Sequence, residues 1–207
     1  MKRIADSTIR RLSLYLRHLE EAHERGVETI SSDDLARRGG TTSAQVRKDL
    51  SFFGSFGKRG LGYSVPELET ALRSIMGLGR SWRVIIVGAG KIGAALANYR
   101  GFQQRGFHVV AAYDTNPDKI GRTLDGVPVK DMTALAREVK ADRPDIAILT
   151  VPGEHAQAVV DQLVEAGVKA IMSFAPAQLH VPPDVSLKTM NMAMELEGLS
   201  FALMNRD

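Results

Sequence analysis

Apolar positions follow two rhythms along the chain. In the first 80 residues they recur every three or four positions. Ile9, Leu12, Leu16 and Leu19 mark a helix that starts near Ser7, with Gly26 as its stop. Ser31 and Asp34 have capping-box spacing at the head of a second helix, which ends at Gly39-Gly40. Thr42 opens a third, with Val46, Leu50 and Phe53 facing inward and Ser43, Gln45, Arg47, Lys48 and Ser51 left toward solvent. Glycines at 57, 60 and 62 suit a hairpin with Lys58 and Arg59 at its tip. Pro66 to Met76 reads as a helix, and Gly77-Leu78-Gly79 as a linker where one domain ends.

Beyond the linker the rhythm changes to short apolar runs alternating with helical stretches. The runs are Val84–Val87, Val109–Tyr113, Val127–Val129, Ile146–Thr150, Val168–Phe174 and Val185–Met190. Helical patterns fall between them, from the glycines after Val87 to about Arg105, from Thr133 to Lys140 and from Glu154 to Ala166, the last with Ala158, Leu163 and Ala166 among its apolar positions. This alternation predicts an α/β fold, a doubly wound parallel sheet of the Rossmann kind behind a helical N-terminal domain. The tail, Met192 to Met204, carries Met192, Leu196, Leu199 and Leu203 as an amphipathic stripe. Such a stripe needs a surface, either the sheet domain's own core or a partner subunit by mutual exchange.

The first of these strands carries the candidate chemistry. Gly88-Ala89-Gly90-Lys91-Ile92-Gly93 follows it directly, and Asp114 ends the second strand 21 residues beyond Gly93. Strand, glycine turn, helix, strand and acid are the dinucleotide-binding fingerprint in its proper order. Gly88 permits the tight turn, Gly90 lets a pyrophosphate approach the backbone, and Gly93 lets the helix pack on the sheet. The helix start offers unpaired N–H groups to phosphate. A carboxylate at 114 can accept from ribose hydroxyls and would repel a 2′-phosphate, which favours NAD(H) over NADP(H). Ligands in such sheets bind beyond the carboxyl ends of the strands. Thr150-Val151-Pro152 and Phe174-Ala175-Pro176 are therefore candidates for the nicotinamide half, against the plainer reading that they only punctuate strand and loop.

Composition narrows the class. The 207 residues are 44% hydrophobic and 25% charged, as in ordinary globular proteins. No apolar run approaches the ~18 residues of a membrane span, and the N-terminus lacks the apolar core of a signal peptide, so the default location is cytoplasmic. Cysteine is absent, which excludes disulfides and thiolate metal sites, and the five histidines are scattered without metal-ligand spacing. Residues 1–80 hold fourteen Lys and Arg against ten Asp and Glu, a net of +4, whereas the remainder is at −1. A basic front end suggests a polyanion partner. Three helices with a glycine turn before the third read as a helix-turn-helix. Gln45 and Arg47 can then read base edges, Lys48, Ser43 and Ser51 can hold phosphates, and Lys58 and Arg59 form a basic wing. The plainer alternative is a small helical domain with a solvated basic hairpin.

Two long segments make the match specific. Arg47-Lys48-Asp49-Leu50-Ser51-Phe52-Phe53-Gly54 with Phe56-Gly57-Lys58-Arg59-Gly60-Leu61-Gly62-Tyr63 resembles the Rex family of redox-sensing transcriptional repressors. Asn98-Tyr99-Arg100-Gly101-Phe102 and Phe174-Ala175-Pro176 with Val181-Pro182 resemble it as well. The resemblance implies a homodimer with a winged-helix DNA-binding domain over residues 1–77, an NAD(H)-binding Rossmann domain over 78–190 and a swapped C-terminal helix over 191–207. It implies an inverted-repeat double-stranded operator, release of DNA on binding NADH, competition by NAD⁺, and no enzymatic role. By resemblance Arg47, Lys48, Lys58 and Arg59 contact DNA, and Gly88, Gly90, Gly93 and Asp114 contact cofactor. Tyr99, on the helix after the glycine turn, takes a switch role near the nicotinamide. Arg17 resembles an inter-domain switch arginine whose usual partner is an acid. Asn191 stands where that acid is expected, and an amide cannot form an ion pair. The rival readings are a small NAD-dependent dehydrogenase, which residues 191–207 leave little room for, and a DNA-binding protein with a purely structural Rossmann core.

Overall fold

The computed structural model describes residues 4–58 and 60–205. Backbone contacts divide the chain into two compact units, Met1–Arg80 and Ser81–Asp207.

The first unit comprises α1 (Asp6–Glu24), β1 (Thr29–Ile30), α2 (Ser32–Arg38), α3 (Ser43–Ser51), β2 (Tyr63–Ser64) and α4 (Val65–Ile75). The buried face of α1 is Leu12, Tyr15, Leu16 and Leu19, joined by Thr8. Ile9, expected on that face, is exposed. The stripe turns away from it because Thr8 and Tyr15 face a buried carboxylate on α3. The capping box of α2 is present, with Ser31 Oγ accepting from the Asp34 N–H at 3.1 Å and the Asp34 carboxylate accepting from the Ser31 N–H at 3.4 Å. Thr42 Oγ1 caps α3 by accepting from the Gln45 N–H at 3.2 Å. Leu35, Val46, Leu50, Leu68 and Leu72 complete the core.

The expected hairpin at 57–62 is tighter than a two-stranded ribbon. Among the described residues a single bridge joins Lys58 to Gly62. The paired strands are instead β1 and β2, antiparallel, with Ile30 opposite Tyr63. Arg59, expected at the tip, lies outside the described residues.

The second unit follows the order β3 (Trp82–Val87), α5 (Lys91–Ala97), α6 (Arg100–Gln103), β4 (Phe107–Asp114), β5 (Thr123–Leu124), β6 (Val127–Asp131), α7 (Leu135–Asp142), β7 (Ile146–Leu149), α8 (Gly153–Glu165), β8 (Ala170–Ser173), β9 (Ser186–Thr189) and α9 (Met192–Met204). The sheet order is β5-β6-β4-β3-β7-β8-β9, parallel except for β5. The chain winds outward from β3 through β4 to β6, then returns to β7 and winds the other way. The order reverses between β3 and β7, the place where such sheets bind ligands. Alternate residues of β3 serve opposite faces. Ile85 and Val87 join Tyr113, Leu135, Leu149 and Leu163, while Val84 and Ile86 join Ala112, Val129 and Ile148.

Four details differ from the sequence pattern. The helix after the glycine turn does not run to Arg105. It breaks at Tyr99, which is extended (φ −74°, ψ 101°) and starts α6. Asn and Gly are poor helix formers, and the Tyr99 ring folds over Gly101, where an added Cβ would stand 2.6 Å from it. A second difference is β5, which pairs with β6 through Asp125-Gly126, both at positive φ (50° and 85°). This Asp-Gly pair is a two-residue hairpin signal that the reading of Val127–Val129 passed over. A third is the burial face of α8, which consists of Ala156, Val159, Val160 and Leu163, with Ala158 exposed.

The last concerns α9. None of its residues is buried, and Met194, Phe201 and Met204 are exposed beside the Met192, Leu196, Leu199 and Leu203 of the expected stripe. Apolar side chains, interrupted by Glu195 and Glu197, are spread around the helix rather than gathered in one stripe, and it does not bury itself on the core of its own sheet. Among the described residues no helix is long and apolar enough to cross a membrane, and no group of three His, Asp or Glu could hold a metal.

Candidate functional site

At the reversal of strand order lies a cleft of about 520 Å³. Of the residues expected to hold a dinucleotide, Gly88, Gly90, Ile92, Asp114, Thr150, Val151, Pro152, Phe174 and Pro176 line it. Ala89, Gly93 and Ala175 are buried just behind it. Lys91 is exposed at the first residue of α5 and does not line the cleft. Tyr99 does not line it either. It sits in the break between α5 and α6, 57% exposed, edge-on to Phe102 at 5.0 Å.

Two of the glycines are required by the protein itself. A Cβ on Gly93 would stand 2.0 Å from the Gly88 carbonyl oxygen, and one on Gly88 would stand 2.9 Å from the Thr150 backbone. A Cβ on Gly90 would meet nothing within 4 Å. Gly90 is therefore free of any internal demand for its hydrogen. Its bareness leaves the backbone open to something from outside, which fits a pyrophosphate. Thr150 ties the two strands at the turn. Its hydroxyl donates to the Gly88 carbonyl at 2.6 Å, and its N–H donates to the Val87 carbonyl at 2.8 Å.

Asp114 is held on three sides. Its carboxylate accepts from the Ala89 N–H at 2.7 Å, the Asn116 N–H at 2.8 Å and the Lys119 ammonium at 3.1 Å. Burial alone would raise its pKa, but these donations outweigh it and hold the carboxyl below the usual range. An ionised acceptor thus faces the cleft at the place where a ribose would lie. The opposite end is walled by Val151, Pro152, Phe174 and Pro176. His155 and Lys119 also line the cleft and were not anticipated. His155 belongs to the first turn of α8 beyond Pro152, and only the topology brings it here. The bare Gly90 and the ionised Asp114 are the features of the cleft that fit a dinucleotide.

The second candidate site lies in the first unit. A groove of about 620 Å³ runs between α3 and the turn at 57–62, lined by Arg47, Ser51 and Lys58 with Ser32, Phe56 and Tyr63 among others. Arg47 is exposed and donates to Ser32 Oγ at 2.8 Å. Lys48 is exposed and outside the groove. Ser51 Oγ donates to the Lys48 carbonyl at 2.8 Å. Ser43 Oγ donates to Asp33, which fixes the start of α3 against α2.

Sequence reasoning missed the group that holds this helix in place. Asp49, on α3, has no exposed surface. Its carboxylate accepts from Arg11 Nε and Nη2 at 2.6 and 2.8 Å, from the Tyr15 hydroxyl at 3.1 Å and from Gln45 Nε2 at 2.8 Å. Burial pushes Asp49 up, and the Arg11 and Gln45 donations bring it below the usual carboxylate range. The same burial pushes the Tyr15 hydroxyl up to about 12. Gln45, expected to face solvent fully, is half-buried and turned onto this carboxylate.

The expected switch residues fall in separate units. Arg17 is exposed on α1. Asn191 is the N-cap of α9, and its Oδ1 accepts from the Ala193 and Met194 N–H groups at 3.0 and 3.3 Å. Both acceptor positions of the amide oxygen are thereby used, which leaves only N–H donors for any partner.

Comparison with known proteins bears on both sites. The family model described as "CoA binding domain" matches residues 80–177, and "Putative DNA-binding protein N-terminus" matches 3–51. A protein of Syntrophomonas wolfei named redox-sensing transcriptional repressor Rex is 48% identical over 206 residues, covering 99% of this chain and 98% of its own. One of the same name from Desulfitobacterium hafniense is 46% identical, covering 96% and 95%. Among solved structures, RSP in complex with β-NAD⁺ and operator DNA superposes with a TM-score of 0.93 at 39% identity, covering 98% of this chain and 94% of that one. RSP in complex with β-NADH superposes with a TM-score of 0.88 at 38% identity, covering 98% of this chain and 95% of that one.

Proposed function

The chain belongs to the Rex family of redox-sensing transcriptional repressors, and from that premise we propose that it is a cytoplasmic homodimeric repressor whose grip on operator DNA is set by the ratio of NADH to NAD⁺. The observation that carries the proposal is the pairing, in one chain, of a basic groove beside a capped helix and a dinucleotide cleft with a bare Gly90 and an ionised Asp114.

In this reading α3 enters the major groove. Arg47 and Lys48 contact the duplex, as do Lys58 and Arg59 at the turn. Two copies of the helix meet the half-sites of an inverted repeat, whose centres lie about 34–36 Å apart on one face of the duplex. The second copy comes with α9, whose exposed Met192, Leu196, Leu199, Phe201 and Leu203 would be covered by the partner subunit.

NADH and NAD⁺ share their adenosine half, so the glycine turn and Asp114 would hold both alike. When bound, the nicotinamide carries a positive charge in NAD⁺ and none in NADH. The apolar end of the cleft, at Val151, Pro152 and Phe174, disfavours a cation and so selects the reduced form. A ligand moves a two-state protein only by its preference between the states. Going from 1:99 to 99:1 takes roughly 5.5 kcal/mol, which two sites per dimer would share. Tyr99 takes the switch role from its place at the α5–α6 break rather than from within a helix. The reading assigns the chain no catalytic step.

The test is an operator-binding titration at fixed salt with NADH and NAD⁺ supplied in turn. NADH is expected to release the DNA at concentrations where NAD⁺ leaves it bound. Equal effects of the two coenzymes would remove the redox-sensing part of the proposal.

A further inference from the structure

Gln45 is held from behind. Its Nε2 donates to Asp49 Oδ1, and Asp49 lies one helical turn further along α3 with no exposed surface. The other places on that carboxylate are filled, by Arg11 Nε and the Tyr15 hydroxyl on Oδ2, and by Arg11 Nη2 and the Thr8 hydroxyl, at 3.4 Å, on Oδ1. The bidentate guanidinium keeps Asp49 ionised, and an ionised carboxylate can only accept hydrogen bonds. The end of the Gln45 amide turned toward it must therefore be the NH₂. The amide's two ends are not interchangeable here, as they are for a free glutamine. Among the described residues Gln45 Oε1 has no hydrogen-bond partner, and it is not a buried orphan.

We propose that Asp49 fixes the orientation of Gln45 as a reader of the operator, so that its amide oxygen meets a base that presents an amino group, adenine N6 or cytosine N4, at one position of each half-site. The inference rests on the reading of α3 as the helix in the major groove. A free glutamine reads adenine with both ends of its amide. One of the two N–H groups of Gln45 is held inward by Asp49, so the amide cannot turn over, and its oxygen is presented outward with the remaining N–H beside it. Guanine O6 and N7 and thymine O4 are acceptors, and against Oε1 they would set lone pair against lone pair. The two residues have separate tasks. Gln45 touches the base, and Asp49 is a positioning residue that decides which end of Gln45 is shown.

The experiment is selection from a duplex library with both half-sites randomised, using the full chain without NADH at fixed salt. Three proteins are compared: wild type, Gln45→Ala and Asp49→Asn. Wild type is expected to favour A or C over G or T on one strand at one position of each half-site by roughly threefold to tenfold, the range of one net hydrogen bond. Gln45→Ala levels that position and leaves the others. In Asp49→Asn the new amide keeps its oxygen for Arg11 Nε and the Tyr15 hydroxyl and turns its NH₂ toward Gln45, giving up the bond to Arg11 Nη2. Gln45 then flips and donates outward, and the preference at that position moves to G or T. A purely structural role for Asp49 would lower affinity without moving the base preference. Should Asp49→Asn fail to fold by circular dichroism, the comparison of wild type with Gln45→Ala still decides. Equal weakening of all sequences by Gln45→Ala, or a wild-type preference for G or T at the Gln45-dependent position, overturns the inference while leaving DNA binding intact. A wild-type protein with no sequence preference at all would remove the DNA-reading role itself, and this inference with it.

Discussion

In the N-terminal unit, four side chains from two helices converge on Asp49, and one of them, Gln45, belongs to the candidate reading face. In the sheet unit, the corresponding job falls to Gly88 and Gly93, which have no side chains, and to Thr150, which ties the turn to its neighbouring strand. The first site is positioned by charge paired on a fully buried carboxylate. The second is positioned by backbone brought so close that a single methyl group cannot enter. The contrast teaches what each arrangement can tolerate. A charge network fails when one partner is removed, because the remaining charge is stranded without water. A close-packed turn fails when an atom is added.

The sharpest way to break this contrast is at the glycines. Gly93→Ala places a Cβ 2.0 Å from the Gly88 carbonyl oxygen. It is expected to cost about 4–5 kcal/mol, enough to unfold the sheet unit in thermal melts. Gly90→Ala meets nothing and has an ordinary φ of −75°. Its melting temperature should stay within about 0.5 kcal/mol of wild type, while NADH affinity by fluorescence titration falls at least tenfold. If both variants melt alike, the distinction between inward and outward demand at this turn is wrong.

Next in size is Asp49→Ala, which strands Arg11 and is expected to cost about 3–5 kcal/mol in chemical denaturation. The pH dependence sharpens it. The folded pKa of Asp49 is depressed. Its contribution is therefore full above the unfolded value of about 3.9 and is lost as pH falls through the folded value. Acid titration of the wild type should show this loss below about pH 4, and Asp49→Asn should lack it. The smallest effect belongs to the groove. Lys58→Ala should weaken binding to all duplexes by about 1 kcal/mol, lower the salt slope by about one, and leave stability unchanged. A change in sequence preference from this variant would mean that Lys58 reads bases rather than phosphates.

These contrasts bear on what could be read from the chain. Periodicity, caps and apolar runs located α2, α3, α4, β3, β4 and β6 to β9, and missed the short β5. The candidate cleft was legible because its signal is local: Gly88, Gly90 and Gly93 within six residues, and an acid at a fixed distance. Asp49 was illegible for the opposite reason. An acid beside Lys48 on a basic helix reads as a surface residue, and only the docking of α1 reveals that Arg11 and Tyr15 enclose it. Tyr99 was placed on a continuous helix because propensity carries little weight over seven residues. The break depends on its ring lying over Gly101.

By itself the sequence determined the local chemistry of this protein: which stretches could be helix or strand, where bare glycine backbone follows the first strand of the sheet, and that an acid ends the second. Those properties belong to runs of a few residues and need no neighbours from elsewhere in the chain. Tertiary structure alone decided which charges are buried, which end of the Gln45 amide meets Asp49, and that α9 keeps all its apolar side chains exposed. Burial and hydrogen-bond partnership are relations between distant segments, and they exist only once those segments have met.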